Sequence, residues 1–281
     1  MGIELVVLDF DGTLTDVWKE ALPAIAGWKA DVASELGFTS AQIESRWNQI
    51  QERIEQDPSH YGWRMGDKIV APAYADPNVM ARTISDILFD EEQKYMDRSE
   101  RENILQHRIF ATNYKKMGTV FKPEADDFLF SLQDEFRVCV VTNSGTESVM
   151  EKISQLPTSH SKIPVYGDAK KYVLNSEWRD VPESVYKEGF GRPLYLQREK
   201  YWNLLTQVMA EHSLAPEQVA VVGDIYELDL LLPEQKNMRI ILAASQRTPT
   251  YELDAVRAYS RGHTASDLFA IHAYLNLNKN R

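Results

Sequence analysis

The chain of 281 residues has one cysteine, Cys139. A single thiol excludes an internal disulfide and fits a reducing compartment. Within RVCVV it reads as a small buried hydrophobe. Positive charge is also scarce. Lys plus Arg amounts to 31 against 42 for Asp plus Glu, a formal net charge of −11. Nucleic acids and anionic membranes are bound through clustered positive charge, so neither is expected as a partner. No apolar run approaches the roughly 18 residues of a membrane span, and no charged-then-apolar leader is visible, so a cytoplasmic protein is expected. None of the six histidines has metal-ligand spacing, and there is no internal repeat or low-complexity tract. What remains is ordinary for a globular chain: 43% hydrophobic and 26% charged residues, enough for one large or two modest domains. A monomer and a homodimer fit this composition equally well.

The apolar runs are short. IELVVL at 3–8, RVCVVT at 137–142, QVAVVGD at 218–224 and MRIILAAS at 238–245 are rich in β-branched residues and suit strands buried on both faces of a parallel sheet. A fifth strand is expected in PLYLQ at 193–197 or in KIPVYG at 162–167. Helix-compatible segments precede the runs at 137–142, 218–224 and 238–245, which predicts an α/β fold with a Rossmann-like open parallel sheet. Residues 17–119 differ, with helical periodicity and little strand signal. Gly37 reads as a C-cap, Thr39 with Gln42 as a capping box, and Asp76–Pro77 as an N-cap followed by proline in the first turn. The expected organisation is a core of residues 1–16 and 120–281 interrupted by an all-helical domain at 17–119. Inside that insertion 57–77 reads as a long connector, whose Tyr61, Trp63, Arg64 and Lys68 either face a ligand or pin the loop.

Ligands of open α/β sheets bind beyond the carboxyl ends of the strands. The first strand ends in Asp9, Asp11, Gly12 and Thr13. The second ends in Thr142, Asn143, Ser144 and Gly145, and the QVAVV strand in Gly223 and Asp224, followed by Glu227 and Asp229. Carboxylates gathered on one edge repel one another unless a cation sits among them, and oxygen ligands without histidine or thiolate favour Mg²⁺. With Mg²⁺ between Asp9 and Asp224, Asp9 becomes a carboxylate nucleophile able to form an acyl-phosphate. Asp11 would protonate the leaving oxygen and later take a proton from water. Gly12 permits the close turn, and Thr142 and Asn143, near a helix N-terminus, would cradle phosphoryl oxygens.

DFDGTLTD, VVTNSG and VVGDIYELD resemble motifs I, II and IV of the haloacid dehalogenase-like hydrolase superfamily, in the expected order across the core. The resemblance implies Asp9 as nucleophile and Asp11 as general acid/base. The metal would then be held by the Asp9 side chain, the Asp11 backbone carbonyl and Asp224. Gly-Asp-x-x-x-x-Asp spacing points to Asp229 as the second acid of motif IV, with Glu227 as competitor. The helical insertion matches the family's C1 cap, which selects the substrate. The family also needs a Lys or Arg bridging nucleophile and phosphate. Arg198, directly after PLYLQ, suits that geometry best; Lys171 in GDAKKY is its rival and Lys200 the third candidate. Gly12, Thr13, Thr142, Asn143, Ser144 and Lys200 make up the expected phosphate-binding set.

The implied activity is Mg²⁺-dependent hydrolysis of a small phosphorylated metabolite. A 2-haloacid dehalogenase, a phosphonatase and a phosphomutase are alternatives on the same fold, and a non-catalytic binding module is the alternative of another class.

Overall fold

The computed structural model describes residues 2–280. By its internal contacts the chain forms two compact units, one of residues up to Asp16 together with those from Phe121 onward, the other Val17–Val120.

In the first unit six strands form one parallel sheet: β1 (Leu5–Leu8), β2 (Arg137–Val141), β3 (Val165–Tyr166), β4 (Val219–Gly223), β5 (Arg239–Ala243) and β6 (Gly262–Ala265). Their order across the sheet is β6-β5-β4-β1-β2-β3, with Leu8 level with Val140 and Val222. Chain order therefore reverses between β1 and β4, and at such a switch point the loops diverge and leave a crevice.

Alternation of side chains along the strands divides the core between the two faces. Leu5, Val7, Cys139, Val221 and Ile240 pack beneath Tyr201, Leu205 and Val208 of helix Glu199–Glu211. Val6, Leu8, Val140, Val222 and Ile241 pack against Phe128 and Leu132 of helix Ala125–Glu135 and Ile271 and Leu275 of helix Leu268–Asn278. Full burial of each such side chain stabilises the fold by roughly 1.5–3 kcal/mol. Cys139 is 2% exposed, and burial pushes its thiol up to about 12, as an inert core residue requires.

Of the two candidates for a fifth strand, KIPVYG supplies β3 at the sheet edge. PLYLQ instead places Leu194–Tyr195 in a small antiparallel ladder with Ser184–Val185, outside the main sheet. Strand β6, Gly-His-Thr-Ala, carries no apolar run and was not anticipated.

The second unit is mainly helical, with Val17–Leu36, Ser40–Gln56 and Pro77–Glu91 around Trp28, Trp47, Ile84, Leu88 and Phe89. The Thr39–Gln42 capping box and the Asp76 cap, which accepts from the amides of Asn78 and Val79, form as expected. The connector holds a hairpin, Gly62–Met65 with Lys68–Pro72, that the sequence did not announce. Arg64 there donates to the carbonyls of His60 and Asp67, pinning the turn. Among the described residues no helix is long and apolar enough to cross a membrane.

Candidate active site

Strands β1 and β4 are neighbours, and each ends in an aspartate. Asp9 continues the pairing of β1, its amide donating to the Val222 carbonyl at 2.8 Å. The chain then turns through Gly12 at φ +85°, a left-handed value that glycine adopts without strain. A β-carbon on Gly12 would stand 2.0 Å from Asp224 Oδ2, so the absence of a side chain is what admits the second carboxylate. Asp229 is brought back to the same point by the π-helical turn Tyr226–Leu230, its amide bonded to the Ile225 carbonyl.

Oxygen atoms of Asp9, Asp224 and Asp229 lie within 4.8 Å of one another. At that separation each like-charged pair repels by roughly 3–4 kcal/mol for an effective dielectric of about 20. One cation is built in. Lys171 Nζ lies 2.7 Å from Asp9 Oδ1 and 2.8 Å from Asp229 Oδ1, and the residue is 1% exposed. Burial disfavours its charge, but Asp229 and Asp9 outweigh burial and hold the ammonium above the ordinary lysine range. Burial pushes the Asp9 carboxyl up to about 7. Lys171 opposes that rise, and the like charges of Asp229 and Asp11 add to it. Asp224 is raised well above the usual carboxylate range by burial, then by Asp9 and Asp229.

These residues fit a divalent cation. Asp224 Oδ1 is shut off from solvent and has no hydrogen-bond partner among the described residues. Asp9 Oδ2 receives the Thr13 hydroxyl at 3.1 Å. Asp229 is more committed, with Oδ1 taken by Lys171 and Oδ2 by the Ile225 amide, although a carboxylate oxygen has a second lone pair. Hard, oxygen-only donors suit Mg²⁺ or Ca²⁺ rather than softer metals.

Asp11 stands apart from the three. Its Oδ2 accepts from the Ser144 hydroxyl at 2.6 Å, and its Oδ1 lies 3.6 Å from Lys152 Nζ. Ser144 is thus tied to the acid rather than left open for an anion. The Thr142 hydroxyl, 1% exposed as a residue, accepts from the Ser144 amide at 3.1 Å. Asn143 turns its Oδ1 to the Lys171 amide at 2.8 Å, which fixes the loop that carries the lysine.

Of the three candidates for the bridging cation, the structure brings only Lys171 to Asp9. Arg198 is 0% exposed and directed elsewhere, donating to the carbonyls of Lys171 and Tyr195 and lying 3.8 Å from Glu227. Lys200 is exposed on the first turn of its helix. Glu227, the competitor of Asp229, faces Arg192 in a two-pronged ion pair at 2.9 and 2.5 Å. Lys171 follows an edge strand only two residues long, and its neighbours Asp168 and Lys170 adopt φ of +52° and +50°. Non-glycine residues in that region are held there by their surroundings, and such strain concentrates at functional sites.

Two lysines had no sequence signal. Lys152 lies on the helix Thr146–Ile153 that follows Gly145. Lys122 stands where the chain re-enters the core, its amide bonded to the Leu14 carbonyl. Burial lowers the Lys122 ammonium, and Asp224, Asp16, Glu124 and Asp9 partly restore it. The packing of Phe121 beside Phe10, with ring centres 6.0 Å apart, and the pairing of Phe121 with Thr15 bring this stretch to the motif I loop.

The family model for haloacid dehalogenase-like hydrolases matches residues 3–232. The chain belongs to this family. Solved structures agree on the fold of this haloacid dehalogenase-like hydrolase. A haloacid dehalogenase-like family hydrolase from Xanthomonas campestris is 14% identical with a TM-score of 0.54, covering 99% of this chain and 96% of that one. A protein described as a predicted phosphoglycolate phosphatase from Haemophilus somnus is 15% identical with a TM-score of 0.55, covering 97% of each chain. A HAD hydrolase from Bacillus subtilis, bound to magnesium, is 11% identical with a TM-score of 0.52, covering 98% of this chain and all of that one. No significant match is found among curated proteins.

Proposed function

We propose that this haloacid dehalogenase-like hydrolase is a Mg²⁺-dependent phosphatase acting on a small phosphorylated metabolite. The supporting observation is the pairing of a buried carboxylate, Asp9, with a second acid, Asp11, that stands outside the three-carboxylate cluster and is held by Ser144. A halide leaves carbon without a proton, so a dehalogenase has no work for Asp11 and no need of a cation among acids. An alkoxide leaving phosphorus needs both.

Asp9, Asp224 and Asp229 would hold the ion, with the Asp11 carbonyl that the family resemblance adds. When bound, the ion supplies charge neutralisation that lets a phosphate dianion approach a carboxylate. Asp9 attacks phosphorus, a carboxylate P–O bond forms and the ester P–O bond breaks, and Asp11 delivers its proton to the departing oxygen. Lys171 balances charge on Asp9 and the transferring group, while the Thr142 hydroxyl and the Asn143 amide bind phosphoryl oxygens. Water then attacks the aspartyl-phosphate, Asp11 removes its proton, and inorganic phosphate leaves with Asp9 restored.

The test is turnover of p-nitrophenyl phosphate and a phosphometabolite panel with MgCl₂ or with EDTA. Turnover should require the metal and fall at least about a thousandfold in Asp9→Asn. Absence of turnover on every ester, or full activity in Asp9→Asn, would overturn the proposal.

A further inference from the structure

Behind the acid cluster lies a second buried ionic group, formed by Arg192, Glu227 and Arg198, which are 6%, 0% and 0% exposed. Glu227 sits two residues before Asp229 in the same π-helical turn, and Arg192 grips both its oxygens. Arg198 approaches Glu227 Oε1 at 3.8 Å from the other side. One guanidinium nitrogen of Arg198 donates to the main-chain carbonyl of Lys171, and its Nε donates to the Tyr195 carbonyl at 3.0 Å. The Lys171 amide is bonded to Asn143 Oδ1. The peptide groups on both sides of the Lys171 Cα are therefore held by side chains, one from the loop after β2 and one from the start of helix Glu199–Glu211. The left-handed residues Asp168 and Lys170 lie in the same loop.

We propose that Arg198 is a positioning residue for Lys171, and that Glu227 makes one rigid unit of the segment carrying Lys171 and the turn carrying Asp229. Arg198 acts through its bond to the main chain of Lys171, fixing the carbonyl of the residue whose ammonium lies between Asp9 and Asp229. A buried, always-charged guanidinium suits this role because it donates in several fixed directions at once. Glu227 keeps its bidentate partner Arg192 when Arg198 is removed, so Arg198→Met leaves no unpaired buried carboxylate.

Two measurements on full-length protein test this. The first is amine acetylation by an N-hydroxysuccinimide ester, followed residue by residue by peptide mass spectrometry. In Arg198→Met the labelling of Lys171 should rise about tenfold or more, while Lys187, ion-paired to Glu234 at 2.5 Å, should label as in wild type. The second is a cycle of Arg198→Met and Lys171→Ala read by p-nitrophenyl phosphate turnover. Arg198→Met should lose about tenfold alone and less than about twofold on top of Lys171→Ala, because residues acting through one group are non-additive. Arg198→Lys should recover part of the loss. Unchanged Lys171 labelling in folded Arg198→Met, equal rises at Lys171 and Lys187, or the same loss in both backgrounds would each overturn the proposal. Should Arg198→Met fail to fold, Arg198→Lys goes through the same measurements. The turnover arm rests on the phosphatase reading, whereas the labelling arm stands on geometry alone and decides if wild type proves inactive.

Discussion

The ammonium of Lys171 lies 2.7 Å from Oδ1 of Asp9, with 162 residues of sequence separation between them. That contact makes a buried lysine the resident counter-charge of the proposed nucleophile. Even with Lys122 near Asp224 and Asp9, the ammonium of Lys171 leaves negative charge in surplus among Asp9, Asp224 and Asp229. Protons and a divalent ion are the two ways to offset it, so pH and metal act on the same quantity.

The sign follows from the raised carboxyls. Asp9, at about 7, and Asp224, raised as well, bind protons more tightly folded than unfolded. Their contribution to stability is complete below about pH 4, where the unfolded carboxyls also bind protons, and is lost as pH climbs through about 7. Mg²⁺ should therefore raise Tm little at pH 5 and by several degrees at pH 8, read by scanning calorimetry with MgCl₂ or EDTA. Equal shifts at both pH values would contradict this electrostatic account.

Gly12→Ala should disable the site without unfolding the core. A β-carbon would stand 2.0 Å from Asp224 Oδ2, and φ of +85° is unfavourable for alanine. The strained backbone alone costs about 1–3 kcal/mol, and the displaced carboxylate should weaken half-saturation by Mg²⁺ at least about tenfold. Titration of turnover against MgCl₂ measures this. Wild-type half-saturation in the variant would show that Asp224 is not a ligand.

Asp11 and Ser144 should differ in degree. Asp11→Asn removes the proton donor and should lower kcat for an alkyl phosphate, whose alkoxide leaves only with a proton, by about 10²–10⁴. Ser144→Ala removes only the 2.6 Å hydrogen bond that orients the acid, and about a tenfold loss is expected. A larger loss from Ser144→Ala than from Asp11→Asn would reverse the assigned roles.

Lys122 places positive charge near Asp224, Asp16, Glu124 and Asp9. Lys122→Met should make the cluster more attractive to a cation, tightening Mg²⁺ half-saturation by about tenfold, or roughly 1.4 kcal/mol. Calorimetric titration of Mg²⁺ reads this directly. Weaker binding in Lys122→Met would mean that the lysine organises the site rather than opposing the ion.

The acids were legible because each terminates an apolar run: Asp9 after Leu5–Leu8, Asp224 after Val219–Gly223. A carboxylate at the end of a strand buried on both faces is costly unless a partner or a ligand meets it. Which of the three candidate cations meets Asp9 was not legible. Arg198 follows the more apolar stretch, and Lys171 follows a strand of two residues whose half-buried Val165 and Tyr166 carry a weak pattern. Strand β6 was missed because its histidine and threonine are only partly buried at the sheet edge. Lys122 reaches the acids through pairing of residues more than a hundred positions apart, and no periodicity within the segment records such pairing.

Thr15 and Phe121 face each other as an antiparallel pair, reinforced by the Lys122 amide on the Leu14 carbonyl. The polypeptide thus departs from and rejoins the core at one closed clasp. Everything between Val17 and Val120 is, in topological terms, a loop hung from that clasp. Such a loop can be lengthened, rebuilt or exchanged while the strand ends bearing Asp9 and Asp224 keep their register.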